Sequence, residues 1–135
     1  MLLALASALM LTVSPPVAGK HDRVAITITL PRATGVFGQT RRSYIAEAHA
    51  VHPASGCVNN RDRVFGVAHA GTRARATLDP ARGEGGPEGW CPGRYRGTVT
   101  YVEGFACPAK GTCRPPPGFP SRKRVVARFS FRVHV

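Results

Sequence analysis

No stretch of the 135 residues carries sustained helical periodicity, and no segment repeats. A helical bundle and a repeat array are both excluded by that. No apolar run is long enough for a membrane span, since the longest, at the amino terminus, is about a dozen residues. Serines are few: Ser43, Ser55, Ser121 and Ser130 beyond the amino-terminal segment, none in a nucleophile elbow. The seven carboxylates, Asp22, Glu47, Asp62, Asp79, Glu84, Glu88 and Glu103, are scattered, so no acid–base pair stands out along the chain. The four cysteines lack the close paired spacing of zinc sites. His49 and His52 are the one close histidine pair, and residues three apart on a strand point to opposite faces. No catalytic, cofactor or metal motif is left. The expectation is a non-enzymatic protein; the alternative is a small secreted enzyme with a loop-built site at one end of its fold.

What is present begins with a greasy amino terminus. Residues 1–13 carry no charge, 14–16 break the run with Ser-Pro-Pro, and Val17-Ala18-Gly19 supplies small residues. That pattern reads as a signal peptide over residues 1–19, cleaved after Ala18 or Gly19. No Lys or Arg follows Met1, so the alternatives are a true start further upstream or a weak signal that stays as an uncleaved anchor. Cys57, Cys91, Cys107 and Cys113 all lie downstream. An export signal ahead of an even cysteine count implies an oxidising compartment and a disulfide framework. The expected localisation is therefore secreted, with residues 20–135 as one domain and no membrane span after cleavage.

The formal net charge is +12, and all but Lys20, Lys110 and Lys123 of the nineteen basic residues are Arg. An excess of Arg, Ala, Gly and Pro is what GC-rich coding produces, so part of the charge is compositional. The rest suits attraction to polyanions or anionic surfaces, without sequence-specific nucleic-acid recognition.

The 15 Gly and 12 Pro fall between short alternating runs, which predicts an all-β sandwich or barrel. Six strands are read, over residues 24–30, 44–52, 63–68, 72–78, 94–102 and 124–134. Val24, Ile26, Ile28 and Leu30 share one face of the first. In the last, Val125, Ala127, Phe129, Phe131 and Val133 oppose Arg124, Arg128, Ser130, Arg132 and His134. No clear strand precedes Val24. Residues 79–92 and 104–123 read as loops, the second stiffened by Pro115, Pro116 and Pro117.

Leu78-Asp79-Pro80, a Gly-rich crossover and then Trp90-Cys91-Pro92-Gly93-Arg94-Tyr95 resemble the E–F corner of immunoglobulin-like and fibronectin-III-like sandwiches. This segment and the closing Arg-Phe-Ser-Phe-Arg-Val also resemble secreted bacterial proteins of that type. The resemblance spans roughly residues 24–135 and implies an antiparallel Greek-key sandwich of about six to seven strands. It implies that Tyr95 turns its hydroxyl to the corner backbone. Trp90, next to Cys91, is expected to pack on the neighbouring disulfide, the alternative being an exposed ligand-stacking ring. Gly97 stands where antibody-type domains carry a cysteine. The expected pairing is Cys57–Cys91 and Cys107–Cys113. With Cys57 tied to Cys91, residues 44–52 take the place of strand C, 24–30 of B, 72–78 of E, 94–102 of F and 124–134 of G. Residues 63–68 become a short C′ or D edge strand.

The functional expectation is a secreted binding or structural module. Paired F and G strands put Arg94, Arg96, Arg124, Arg128 and Arg132 on one surface, with Glu47 the one carboxylate from strand C. The partner class is an anionic extracellular polymer or cell-surface component, because Arg donates bidentate bonds to sulfate, phosphate and carboxylate.

Overall fold

Alternation with a period of two organises the first sheet. In β3 (Val24–Thr29) the residues Val24, Ile26 and Ile28 are fully buried. β3 pairs antiparallel with β7 (Arg73–Leu78), which buries Ala76 and Leu78 and leaves Arg73 and Arg75 in solvent. On its other side lies β1 (Leu11–Ser14), also antiparallel, giving the order β1-β3-β7. The computed structural model describes residues 10–53, 56, 57, 59–80, 89–107 and 113–134. Every regular element among these residues is a strand, nine in all.

The second sheet has six strands. Its spine is β2 (Val17–Ala18), β9 (Arg122–Val133), β8 (Gly93–Phe105), β5 (Thr40–Ala50) and β4 (Gly35–Phe37), in that order. β6 (Asn60–Val64) shares an edge of β5 with β4, pairing with residues 45–49 while β4 pairs with 40–42. All pairs are antiparallel except β2–β9.

The two inner faces meet over one core. Tyr44, Ala46, Ala48, Tyr95, Val99, Tyr101, Phe129, Phe131 and Val133 face Ile26, Ile28, Leu30 and Leu78. Burying each large apolar side chain stabilises the fold by roughly 1.5–3 kcal/mol. Ala46, Ala48 and Gly97 keep the floor beneath the rings thin. An added Cβ at Gly97 would lie 2.2 Å from the Phe129 ring and 2.6 Å from the Glu47 carbonyl oxygen.

Several strand expectations are corrected. Two strands precede Val24, and β4 is a further addition, so the count is nine rather than six or seven. The strand expected at 63–68 runs instead from Asn60 to Val64. Its hydrophobic continuation leaves the sheet at Phe65, whose side chain is buried and whose N–H donates to the Tyr44 carbonyl. β5 and β8 extend to Thr40 and Phe105, because their polar ends pair with each other beyond the buried stretch.

The amino-terminal stretch takes part in both sheets. β1 extends the first through four residue pairs, and the chain then crosses so that β2 joins the second. Ala18 is fully buried in the core. The N–H groups of Arg132 and His134 donate to the Pro16 and Ala18 carbonyls. Trp90 donates from its backbone to Lys20 and from its indole Nε1 to the Asp22 carbonyl, at 2.8 and 2.7 Å.

Candidate functional site

The outer face of the second sheet is built in rows by the register. Glu47, Thr98 and Arg128 lie side by side across β5, β8 and β9. The next row is His49, Arg96 and Ser130, and beyond it Arg94 stands opposite Arg132. Arg94, Arg96, Arg128 and Arg132 are all exposed. A shallow groove of about 600 Å³ runs between the first two rows, lined by Glu47, His49, Arg96, Thr98, Arg128 and Ser130. Glu47 is engaged by His49 at 3.2 Å, and none of the four arginines forms an ion pair with a described carboxylate. Like charges directly opposite on neighbouring strands cost stability. Asp62, opposite Glu47 on β6, is a second carboxylate on this side that sequence reasoning missed. The pairing partner of Glu47 could not be known before the position of β6.

Arg124 does not belong to this face. The β8–β9 register slips between Val99 and Thr100: Val99 pairs with Ala127, but Thr100 pairs with Val125. Val126 is the extra residue of a β-bulge, and a one-residue slip exchanges the two faces of everything beyond it. Val125, expected in the core, is 43 % exposed beside Thr100. Arg124 instead pairs with Tyr101, on the inward-facing side. Four of the five expected arginines are thus brought together and the fifth is removed.

Around Arg124 lies a second polar cluster. The Tyr101 hydroxyl donates to Glu103 Oε2 at 2.6 Å, and Arg42 Nε lies 3.5 Å from the same oxygen. The Tyr101 hydrogen bond holds the Glu103 carboxyl below its ordinary range, helped by Arg42, Arg122 and Arg32. Burial pushes the Tyr101 phenol up, and Glu103 adds to the shift. Burial likewise raises Tyr44, whose hydroxyl accepts the Arg32 N–H at 3.2 Å.

Tyr95 and Trp90 are both fully buried. The Tyr95 hydroxyl accepts the Cys91 N–H at 2.8 Å, and burial raises its ionisation above the ordinary phenol value. Gly93 sets the approach to β8 at φ 109°, a conformation that side-chain-bearing residues rarely adopt. Trp90 is fully buried, edge-on to Tyr95 and Phe131, while Tyr95 and Phe131 stack at 4.9 Å. Disulfides join Cys57 to Cys91 and Cys107 to Cys113, the expected pairing. Two such bridges fit an oxidising compartment. No helix among the described residues is long and apolar enough to cross a membrane.

The remaining candidates stay apart. Ser130 and His49 face the same groove but stand on β9 and β5 with β8 between them. Two strand spacings, about 9–10 Å, are too far for a nucleophile–base hydrogen bond. His49 lies on the sheet and His52 beyond its end, both exposed. Among the described residues no group of three or more His, Cys, Asp or Glu is placed to hold a metal ion. Glu84, Glu88 and Lys110 lie outside the described residues. No family model matches the chain, and no curated protein matches it either.

Proposed function

We propose that this protein is an exported, non-enzymatic binding module that holds anionic polymers against the outer face of its larger sheet. The observation that carries the reading is the row-by-row convergence of Arg94, Arg96, Arg128 and Arg132, exposed and without described carboxylate partners. Guanidinium groups on neighbouring strands of one sheet present forked donors at strand spacing, which suits the repeated sulfate, phosphate or carboxylate groups of a polymer. Such a ligand offsets the repulsion between Arg94 and Arg132.

The finer fold reading belongs with this proposal. The order β1-β3-β7 against β2-β9-β8-β5-β4 supports an immunoglobulin-like sandwich, with β3, β5, β7, β8 and β9 as its strands B, C, E, F and G. β1 and β2 then act as one first strand shared between the sheets. The Tyr95 hydroxyl bonded four residues upstream supports the E–F corner. At Gly97 the Phe129 ring occupies the space that an inter-sheet cystine crosses in antibody domains.

Retention on an immobilised sulfated polysaccharide at rising salt tests the functional reading. Arg96→Glu with Arg128→Glu should abolish retention at salt where the unaltered protein still binds. Arg73→Glu with Arg75→Glu, on the smaller sheet, should have a much smaller effect. Equal losses from the two pairs would reduce the binding to diffuse charge attraction and refute the face.

A further inference from the structure

The bulge at Val126 also builds something at its own end of the molecule. A cavity of about 420 Å³ is lined by Arg32, Tyr101, Glu103, Arg122, Lys123 and Arg124, together with Ser121. Four cations therefore face one carboxylate. That carboxylate is already engaged, by the Tyr101 hydroxyl and by Arg42, whose guanidinium lies between Glu103 and the Phe37 ring at 4.7 Å from the ring centre. Arg42, not a lining residue, also compensates Glu103, so the cavity's four cations outnumber the one carboxylate they share with it.

The site is organised rather than a loose gathering of side chains. Arg32 lies over the Tyr101 ring at 5.7 Å, and its backbone N–H is fixed to the Tyr44 hydroxyl. The register past the bulge sets Arg124 beside Tyr101 and Arg122 beside Glu103. Tyr44 and Tyr101 are almost wholly buried, so the wall behind these cations is poorly solvated and leaves their field less screened.

We propose that this cavity binds a compact tetrahedral oxyanion, a phosphate or sulfate group. A lone carboxylate would offset one of four positive charges and offer one edge to the guanidinium forks. A phosphate or sulfate group presents three or more oxygens to donors arriving from Arg32 on one side and Arg122 and Arg124 on the other. The site stands independently of the polymer-binding face, because Arg122 and Arg124 leave β9 on the side opposite Arg128 and Arg132.

Titrating inorganic phosphate, inorganic sulfate and acetate separately into the full chain at constant ionic strength tests this, read by backbone and arginine side-chain nuclear magnetic resonance. Saturable shifts centred on Arg32, Tyr101, Arg122 and Arg124 are expected with phosphate or sulfate, and weaker ones with acetate. Stronger response to phosphate identifies a phosphoryl group as the ligand, and stronger response to sulfate a sulfuryl group. Arg122→Ala with Arg124→Ala should weaken binding about ten-fold or more, two charge-assisted bonds being lost. Both positions are exposed, so the fold tolerates the change. Glu103→Gln should tighten binding, whereas Arg96→Ala with Arg128→Ala should leave it unchanged. Non-saturable shifts, equal affinity for acetate, or equal losses from the two arginine pairs would each overturn the proposal.

Discussion

At the scale of single residues, Tyr95 and Gly97 are where one atom decides the most. The Tyr95 ring packs against both Trp90 and Phe131, which also meet each other, and its hydroxyl is the acceptor for the Cys91 N–H. Tyr95→Phe keeps the packing and removes the acceptor, so the expected cost is about 1 kcal/mol, the net worth of one hydrogen bond. An unchanged denaturant midpoint would show that the corner does not depend on that hydroxyl. Gly97→Ala acts by the opposite route. Its new Cβ meets a backbone carbonyl as well as a ring, and the carbonyl belongs to the β5–β8 ladder. Overpacking of this kind costs about 1–3 kcal/mol, seen as a lowered midpoint, whereas Gly104→Ala, with nothing within 4 Å, should cost far less. Glu103 supplies the pH-dependent case. Its carboxyl is held below the ordinary value in the folded state, so its contribution is present above the unfolded pKa and is lost as pH falls through the folded one. The midpoint difference between the unaltered protein and Glu103→Gln should therefore close as the solution is acidified below about pH 4.

At the scale of elements, β9 and the amino-terminal strands carry the argument. β9 presents arginines on two opposite faces because one inserted residue reverses its alternation partway along. Without Val126 in its bulge, Arg124 would join the outer face, as plain alternation predicts. β1 and β2 together cover β3 in one sheet and β9 in the other. A chain beginning at Lys20 loses four residue pairs with β3, the parallel pairing with β9 and the buried Ala18. It should unfold at markedly lower denaturant than the full chain, and equal midpoints would show that both strands are dispensable. These same elements show what was legible in the sequence. β3 and β7 were readable because each is half buried over its whole length, which leaves a clean period of two. The Trp90–Tyr95 corner and both disulfides were readable from local motif and spacing. β1 was not, because Leu11, Thr12 and Val13 continue an uncharged run that has the composition of a leader. β4 was not, and β6 was read as an edge strand but about three residues late, because short edge strands bury little and leave a weak pattern. Four arginines of the outer face followed from alternation, while Arg124 depended on a register slip fixed only by pairing with β8.

At the scale of the molecule, charge and burial act against each other as pH rises. Arginines supply all but three of the nineteen basic groups, so the charge rests almost wholly on guanidinium. The groups that respond to rising pH are the buried phenols. Tyr44, Tyr95 and Tyr101 are no more than 5 % exposed, and burial raises the ionisation of all three above the ordinary value of 10.0. A folded state that disfavours phenolate is fully stabilised below the unfolded pKa and loses that stabilisation as pH rises through the folded one. The three also sit at both ends of the core: Tyr95 stacks on Phe131 at one, and Tyr44 meets Tyr101 at 5.1 Å at the other. Ionising any of them places a charge in the packed interior. Alkaline titration should then show phenolate absorbance appearing late, in one steep step that coincides with loss of β-sheet circular dichroism. The disulfides should delay that step to higher pH, since the Cys57–Cys91 bridge constrains the unfolded chain by about 3–4 kcal/mol and Cys107–Cys113 by about 2. Reduction should bring the step to lower pH. Gradual phenolate formation at ordinary pH with the sheet signal intact would mean that the tyrosines titrate in contact with water and that the core does not close over them.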